Sequence, residues 1–267
     1  MRQTAREREW KWLERQERSF LAKGSGRRAG AVSRLLEEKV PDKLQETLDG
    51  AFSKAFELVF EKGTGIIEKT YDREALEHQY QVNSYSADLA ENKKTLRKFE
   101  KDTGGSHTKN LLFSGASGLG LGALGIGLPD IPLFVGVLLK SLYETAIQFG
   151  YDYTQSEEKY FILKIIETAL SGGDQLRAGN RAIDRFIEDP KLPEGYAQDQ
   201  QIRATSSVMA EELLCLKFLQ GIPVVGAVGG AYNAVYMQKI QKYARLKYYR
   251  RFLYDREADP WMPDDAG

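Results

Sequence analysis

Few side chains in this sequence have the chemistry of metal ligands or nucleophiles. The 267 residues include two histidines, His78 and His107, and one cysteine, Cys215. Glu74 and His78 stand four residues apart and would share a helical face, but no second pair of ligands accompanies them. The sequence also contains neither a G-x-S-x-G nucleophile motif nor a Walker phosphate loop. We therefore predict no metal, no cofactor and no catalytic residue.

One glycine series matches a nucleotide-binding pattern without predicting a nucleotide site. Gly120, Gly122 and Gly125 fit G-x-G-x-x-G. A dinucleotide site needs this motif between a strand and a helix, so that the helix N-terminus meets the pyrophosphate. These glycines lie inside a longer glycine series with no strand pattern on either side, and we interpret the match as a coincidence of composition.

Five polar residues follow that glycine series closely: Asp130, Tyr143, Glu144, Tyr151 and Asp152. A carboxylate between two apolar helices must find a partner or shift its pKa. Asp130 is therefore the first candidate for acid–base chemistry, in a helical enzyme or binder that acts on a lipid or a small hydrophobic ligand. The alternative is that Asp130 accepts backbone donors at the N-terminus of the following helix.

Charge is unevenly distributed along a chain whose total is zero. The sequence has 38 Lys plus Arg against 38 Asp plus Glu, which argues against a uniformly basic, DNA-coating protein. Residues 1–30 nevertheless sum to +5 and Lys239–Arg251 to +6, which leaves −11 for the rest. The second block alternates with aromatic residues, so it suits anionic lipid, RNA or a solvated helical face. Its cations are Lys239, Lys242, Arg245, Lys247, Arg250 and Arg251.

Two long stretches carry no charge. They are Asn110–Pro129, with 20 residues and six glycines, and Phe218–Gln238, with 21 residues. Either is long enough to cross a bilayer as a helix, although the glycines make a simple span a poor fit. Because the basic block directly follows the second stretch, anionic lipid is the more economical partner for its cations.

Prolines and glycines shape both uncharged stretches. The segment Pro129–Pro132 contains two prolines, which break helical geometry and predict a helical hairpin. Gly118 and Gly122 are four residues apart, as are Gly226 and Gly230, and this spacing lets helices approach closely. It suits the buried core of a soluble protein or a membrane-inserting hairpin, and both alternatives stay open.

Helical periodicity dominates the rest of the sequence, and no stretch alternates with the period of a strand. We predict an all-α, multi-helix bundle. Its helices include segments at about 66–81, 85–101 and 201–220 and another over Ser156–Leu170, while residues 172–200 are predicted to be a loop or a short surface helix.

The first 30 residues are predicted to form a charged helix and a linker. Trp10, Leu13, Phe20 and Leu21 form an apolar stripe that Glu17 interrupts. This helix either packs on the body of the protein or lies in a lipid headgroup layer. The single cysteine indicates a reducing compartment such as the cytoplasm. The predicted divisions are residues 1–30, the helical domain 31–256 and an acidic tail 257–267.

Two segments carry a family resemblance. The first comprises Gly127-Leu-Pro-Asp-Ile-Pro-Leu-Phe, Lys140-Ser-Leu-Tyr-Glu-Thr-Ala-Ile-Gln-Phe-Gly-Tyr-Asp152 and Tyr160-Phe-Ile-Leu, and the second is Ile222-Pro-Val-Val-Gly-Ala-Val-Gly-Gly-Ala-Tyr-Asn233. Both resemble the EcsC family of bacterial proteins, with a similar helix pattern from about Val40 to Arg251. The resemblance implies a component encoded beside an ATP-binding-cassette transporter, which is compatible with a membrane setting, and supplies no catalytic residue.

Together these patterns favour a non-enzymatic, cytoplasmic protein that is peripheral or partly inserted at the inner membrane face. Its expected partners are anionic lipid or a membrane protein such as a transporter component. The contacts are expected at the two glycine-rich stretches and the basic block, with Asp130, Tyr143 and Glu144 as further structural or functional candidates. A soluble adaptor that binds another helical protein is the remaining alternative.

Overall fold

The computed structural model describes residues 4–25, 42–60, 71–102, 130–219 and 229–258. Within these ranges the secondary structure is helical and contains no strand, which confirms the all-α prediction. The helices are α1 (Ala5–Ser25), α2 (Asp42–Leu58), α3 (Arg73–Leu89), α4 (Lys93–Asp102), α5 (Asp130–Gln148), α6 (Ser156–Leu170), α7 (Gly173–Glu188), α8 (Gln198–Leu219) and α9 (Gly229–Ala258).

Capping residues explain where α3 and α4 begin. The predicted segments 66–81 and 85–101 were misplaced, because the break between the helices falls at Ala90–Asn92. Asp72 caps α3, since its Oδ1 accepts a hydrogen bond from the Ala75 amide at 2.9 Å. Asn92 does the same for α4, where its Oδ1 accepts from the Lys94 amide at 2.9 Å. These side chains satisfy amides that a helix N-terminus leaves without backbone partners.

Residues 172–200 contain a full helix, which corrects the prediction of a loop or a short surface helix. Helix α7 has 16 residues and buries Leu176, Ile183, Phe186 and Ile187 on one side. The intervening charged residues concealed this amphipathic pattern. A Cβ at Gly179 would lie 2.3 Å from Thr168 Oγ1, so this glycine is what allows α7 to approach α6 closely.

Helices α6 and α9 form the centre of the bundle. Helix α6 is buried on several faces and packs against α7, α8 and α9, while α9 also packs against α1, α4, α5 and α7. Aromatic side chains fill the space between them. The ring centres of Phe99 and Phe252 lie 4.2 Å apart, and those of Phe161 and Tyr248 lie 5.2 Å apart in an edge-to-face arrangement. Such rings bury large apolar areas in preferred geometries.

A glycine turn carries the chain out of α5. Gly150 has φ of +85°, which disfavours other residues, and the Tyr151 amide donates to Ala146 O at 2.9 Å across the turn. A Cβ at Gly150 would also lie 2.4 Å from the Tyr80 ring. The turn therefore needs glycine for backbone and packing reasons, and it places Tyr151 and Asp152 between α5 and α6.

Helix α1 packs on the body, in contact with α4, α7 and α9. It runs antiparallel to α9: Arg6 near its start donates to Arg256 O at 3.2 Å, and Phe20 near its end stacks on Tyr243 at 4.7 Å. Its buried residues are Glu9, Leu13, Glu17 and Phe20. Two of these four are carboxylates, so the packing of α1 is partly ionic.

Candidate functional site

The cations of the basic block divide into two groups along α9. Lys242 is exposed, and Lys239 and Arg245 are partly exposed. Lys247 is 0% exposed, and the side chains of Arg250 and Arg251 are 22% and 12% exposed. The second group faces other helices, so it does not form the lipid-facing surface or the solvated face that the sequence predicted. A lipid role for the first group stays a prediction.

Lys247 and Arg250 bind carboxylates from two other helices. Lys247 Nζ lies 3.0 Å from Glu17 Oε1 in α1 and 2.7 Å from Asp184 Oδ1 in α7. Arg250 binds both oxygens of Glu17. Burial by itself raises the pKa of Glu17, but the hydrogen bonds and charges of Arg250 and Lys247 hold it below its ordinary value. Glu17 is therefore a charged carboxylate inside the protein.

Arg251 forms a second buried pair, with Glu158 of α6. Arg251 Nη1 lies 2.6 Å from Glu158 Oε2, and the Tyr248 hydroxyl donates to the other oxygen. The guanidinium also lies 3.9 Å from the centre of the Tyr151 ring. Burial raises the pKa of Glu158 despite Arg251 and Tyr248. Glu17 and Glu158 thus differ in the direction of their pKa shifts, because Glu17 faces two cations and Glu158 faces one.

A third buried carboxylate joins α1 to α4. Glu9 is 0% exposed, and its Oε2 accepts from Arg97 Nε at 2.8 Å and from the Tyr249 hydroxyl at 3.3 Å. Arg97 also stacks on Trp12 at 4.6 Å. Sequence reasoning missed Glu9, Glu17 and Glu158 as ionic partners. The available signal was an acidic residue within an apolar helical face, as where Glu17 interrupts the stripe of α1.

The candidates on α5 lie in a separate cluster. Tyr143 is buried and stacks on Tyr153 at 4.2 Å, and Glu144 Oε1 lies 3.7 Å from Lys140 Nζ. Lys140 in turn lies 5.8 Å from the centre of the Tyr71 ring. Tyr151 and Asp152 contact other residues: the Tyr151 hydroxyl donates to Asp255, and Asp152 accepts from the Thr154 amide and lies 3.6 Å from Arg73.

Several predicted contacts fall outside the described residues. Gly118, Gly122 and Gly226 do so, as does the first arm of the predicted hairpin. Gly230 lies in the first turn of α9, and Asp130 is the first residue of α5, so a helix does begin at the predicted break. Whether the Asp130 side chain caps that helix stays a prediction.

Within the described residues, no helix combines the length and hydropathy that a bilayer crossing requires. The same part of the chain holds no group of three or more His, Cys, Asp or Glu side chains placed to bind a metal ion. Cys215, the one cysteine of the sequence, is buried.

The fold and its ionic packing define an all-α, multi-helix protein in which a C-terminal helix is bound by carboxylates from its neighbours. The chain belongs to the EcsC protein family, whose family model matches residues 4–253. The match therefore includes α1, whereas the resemblance in helix pattern begins at about Val40. The division of the chain at residue 30 stays a prediction.

Two curated relatives come from Bacillus subtilis (strain 168). The chain is 26% identical to Protein EcsC over 225 residues, which are 83% of this chain and 84% of that relative. It is also 26% identical to the Uncharacterized protein YdbA over 128 residues, 48% of this chain and 47% of that relative. No solved structure matches the chain.

Proposed function

We propose that this protein is a non-enzymatic, cytoplasmic helical protein that contacts the inner face of the membrane. The contact is with anionic lipid or with a membrane protein such as a transporter component. The observation that carries the proposal is the position of Lys242, which is exposed on α9 directly after the uncharged stretch Phe218–Gln238. Partly exposed Lys239 and Arg245 lie on either side of it in the sequence.

The division of the basic block sharpens this proposal. Lys247, Arg250 and Arg251 bind internal carboxylates. The lipid contact is assigned by exposure to Lys242, which is exposed, with the partly exposed Lys239 and Arg245 beside it. A Lys or Arg beside an anionic leaflet contributes about 1 kcal/mol to binding, and the attraction decays within a Debye length of about 10 Å at 0.1 M salt. Such a contact is weak for one residue and depends on neighbouring apolar or cationic groups.

Vesicle co-sedimentation tests the proposal. At low ionic strength the protein is expected to bind phosphatidylglycerol-containing vesicles and to ignore pure phosphatidylcholine vesicles. Lys239→Gln with Lys242→Gln should weaken binding by about 30-fold, from about 1 kcal/mol per cation. Arg181→Gln with Arg203→Gln is the matched control, because both residues are exposed cations on other helices.

Cell fractionation separates the partner classes. Recovery with membranes that is lost in the Lys239 and Lys242 variant supports the proposal. Protein that stays entirely in the soluble fraction and ignores anionic vesicles contradicts it and favours the soluble adaptor. Recovery with membranes without any binding to protein-free vesicles identifies a membrane protein as the contact.

The α5 cluster favours one second candidate, a helical enzyme or binder that acts on a lipid or a small hydrophobic ligand. Lys140 and Tyr143 are buried, and Glu144 lies beside Lys140 among apolar helices, an environment that is costly for charges unless they serve a purpose or are well paired. Mass spectrometry of organic extracts of the purified protein tests this candidate. A stoichiometric hydrophobic compound that is lost on Tyr143→Phe or Glu144→Gln supports it, and an empty extract argues against it.

A further inference from the structure

The outward face of α1 carries a straight row of cations. Arg8, Lys11, Arg15 and Arg18 are exposed and are spaced three, four and three residues apart. At about 100° per residue this spacing keeps all four within an arc of roughly 80° along about 15 Å of the helix. None of them forms an ion pair within the described residues. We refer to these four residues as the α1 cation stripe.

The stripe lies opposite the buried face of the same helix. The buried residues Glu9, Leu13, Glu17 and Phe20 are spaced four, four and three apart. The same helical geometry places their mean direction roughly 180° from the mean direction of the stripe. Helix α1 thus separates its charges, with two carboxylates on the inner face and four cations on the outer face.

Ion pairs fix the rotation of α1 about its axis. Apolar packing alone tolerates small rolls of a helix, whereas directed hydrogen bonds specify one orientation. Glu17 binds Arg250 through both oxygens, and Glu9, about two turns earlier in the helix, binds Arg97 at 2.8 Å. A rotated α1 would separate both carboxylates from these partners, although Asp184 would still contact Lys247 and Arg250. The outward direction of the stripe therefore follows from the buried pairs.

We propose that the α1 cation stripe is a docking surface for the headgroups of anionic phospholipids. The inference rests on the membrane contact proposed above and enlarges it. Helix α1 runs antiparallel to α9, and Phe20 stacks on Tyr243, so the C-terminal end of α1 points toward the part of α9 that carries Lys242. The stripe and Lys242 thus supply exposed cations on two adjacent helices.

Electrostatics rather than insertion is the expected mode of binding. The exposed large hydrophobic residues of the described chain lie on α2 and α3, and none lies on α1. Glu7 and Glu14 are exposed beside the stripe, and Lys23 is an additional exposed cation, so the outer face keeps a positive sum. A row of cations along about 15 Å suits a surface with many monovalent anions, and each cation contributes about fivefold to its binding.

A matched pair of full-length variants tests the proposal with vesicles of phosphatidylglycerol and phosphatidylcholine. The stripe variant is Arg8→Gln, Lys11→Gln, Arg15→Gln and Arg18→Gln. The control is Lys54→Gln, Lys98→Gln, Arg181→Gln and Arg203→Gln, four exposed cations on α2, α4, α7 and α8. Both variants lose four positive charges. Vesicle partitioning should fall roughly 900-fold in the stripe variant, from about 1 kcal/mol per cation, and less than about tenfold in the control.

A lysine variant tests whether charge alone is responsible. Arg8→Lys, Arg15→Lys and Arg18→Lys keeps the charge of the stripe and should bind vesicles within about threefold of the wild type. Thermal unfolding and the fluorescence of Trp10 and Trp12 should be unchanged in all variants, because the buried face of α1 is intact. High salt should release the wild type from the vesicles.

The outcomes separate this inference from the proposed function. Equal losses in the stripe variant and the control overturn the stripe as a docking surface and leave membrane contact through α9 standing. Failure of the wild type to bind anionic vesicles overturns the stripe and the lipid contact together. Stripe-dependent binding to single-stranded RNA without vesicle binding also overturns the lipid assignment.

Discussion

The basic block on α9 has an exposed half, Lys239–Arg245, and a buried half, Lys247–Arg251. Each half carries three cations, but the two halves differ in how far their side chains are buried. Lys239, Lys242 and Arg245 are partly or fully exposed, whereas Lys247 is buried and Arg251 is nearly so. In the second half, Lys247 and Arg251 bind carboxylates that α1, α6 and α7 supply. A cationic run in a sequence is therefore not equivalent to a cationic surface.

Removing a cation from the buried half of the basic block, Lys247–Arg251, should have the largest effect on stability. Arg251→Met keeps much of the apolar stem but leaves Glu158 buried without its cation, which should cost about 3–5 kcal/mol of the free energy of unfolding. Urea denaturation measures this loss. Adding Glu158→Gln to the variant should restore part of the stability, as a double-mutant cycle would show. A loss below about 1 kcal/mol is typical of a solvent-exposed ion pair and would contradict the burial of Arg251 and Glu158.

Loss of the Glu17 carboxylate of α1 should destabilise the protein less than loss of Arg251, and the destabilisation should depend on pH. Glu17→Gln should destabilise the protein by about 2–4 kcal/mol near neutral pH, because Asp184 still balances part of the charge of Lys247 and Arg250. The folded pKa of Glu17 is lowered, so its contribution is present above its ordinary pKa and is lost as the pH falls through the folded value.

Urea denaturation at a series of acidic pH values measures how the stability that Glu17 contributes changes with pH. The difference in stability between the wild type and Glu17→Gln should shrink as the pH falls below the ordinary glutamate value near 4.5. Glu14→Gln is the control, because Glu14 is exposed on the same helix. A difference that stays constant with pH would show that Glu17 is not charged in the folded protein.

The two buried carboxylates should also titrate on opposite sides of the ordinary glutamate value. Glu158 should titrate above it, because burial outweighs the single cation Arg251. Glu17 should titrate below it, because Arg250 and Lys247 both bind it. Carboxyl-carbon NMR of the wild type, assigned with the Glu17→Gln and Glu158→Gln variants, measures both values. The reverse order would contradict the ionic network described for α9.

The exposed half of the basic block, Lys239–Arg245, should contribute little to stability and measurably to the binding of anionic vesicles. Lys242→Ala should change the free energy of unfolding by no more than about 0.5 kcal/mol, because its side chain is exposed. The same change should weaken binding to anionic vesicles about fivefold. Arg203→Ala provides the control on α8. Equal effects of the two substitutions on vesicle binding would remove the distinction between the halves as binding surfaces.

Local signals predicted some elements of the fold well and others poorly. Helix α6 begins and ends where its apolar content predicted, at Ser156 and Leu170. The boundaries of α3 and α4 were misplaced because two polar side chains, Asp72 and Asn92, set them through capping hydrogen bonds. Helix α7 was missed because its apolar residues are separated by charged ones, most of which are exposed.

The candidate site shows the same limit more clearly. The sequence identified all six cations of the basic block but not the carboxylates that bind Lys247, Arg250 and Arg251. Glu17 lies 230 or more positions from Lys247 and Arg250 in the chain, and Glu158 about 90 from Arg251, so no local pattern links them. On α5, Tyr143 and Glu144 were found, and Lys140 is the local i,i+4 partner of Glu144, but the stacking of Tyr143 on Tyr153 depends on how the chain turns after α5.

The sequence by itself determined the all-α class, because helical periodicity and caps act over a few residues. It also determined the uneven charge and the resemblance that the family match bears out. Only the tertiary structure decided which cations face outward. Burying a charge is costly unless a partner is in contact, and contact between α1, α6, α7 and α9 depends on how distant helices pack.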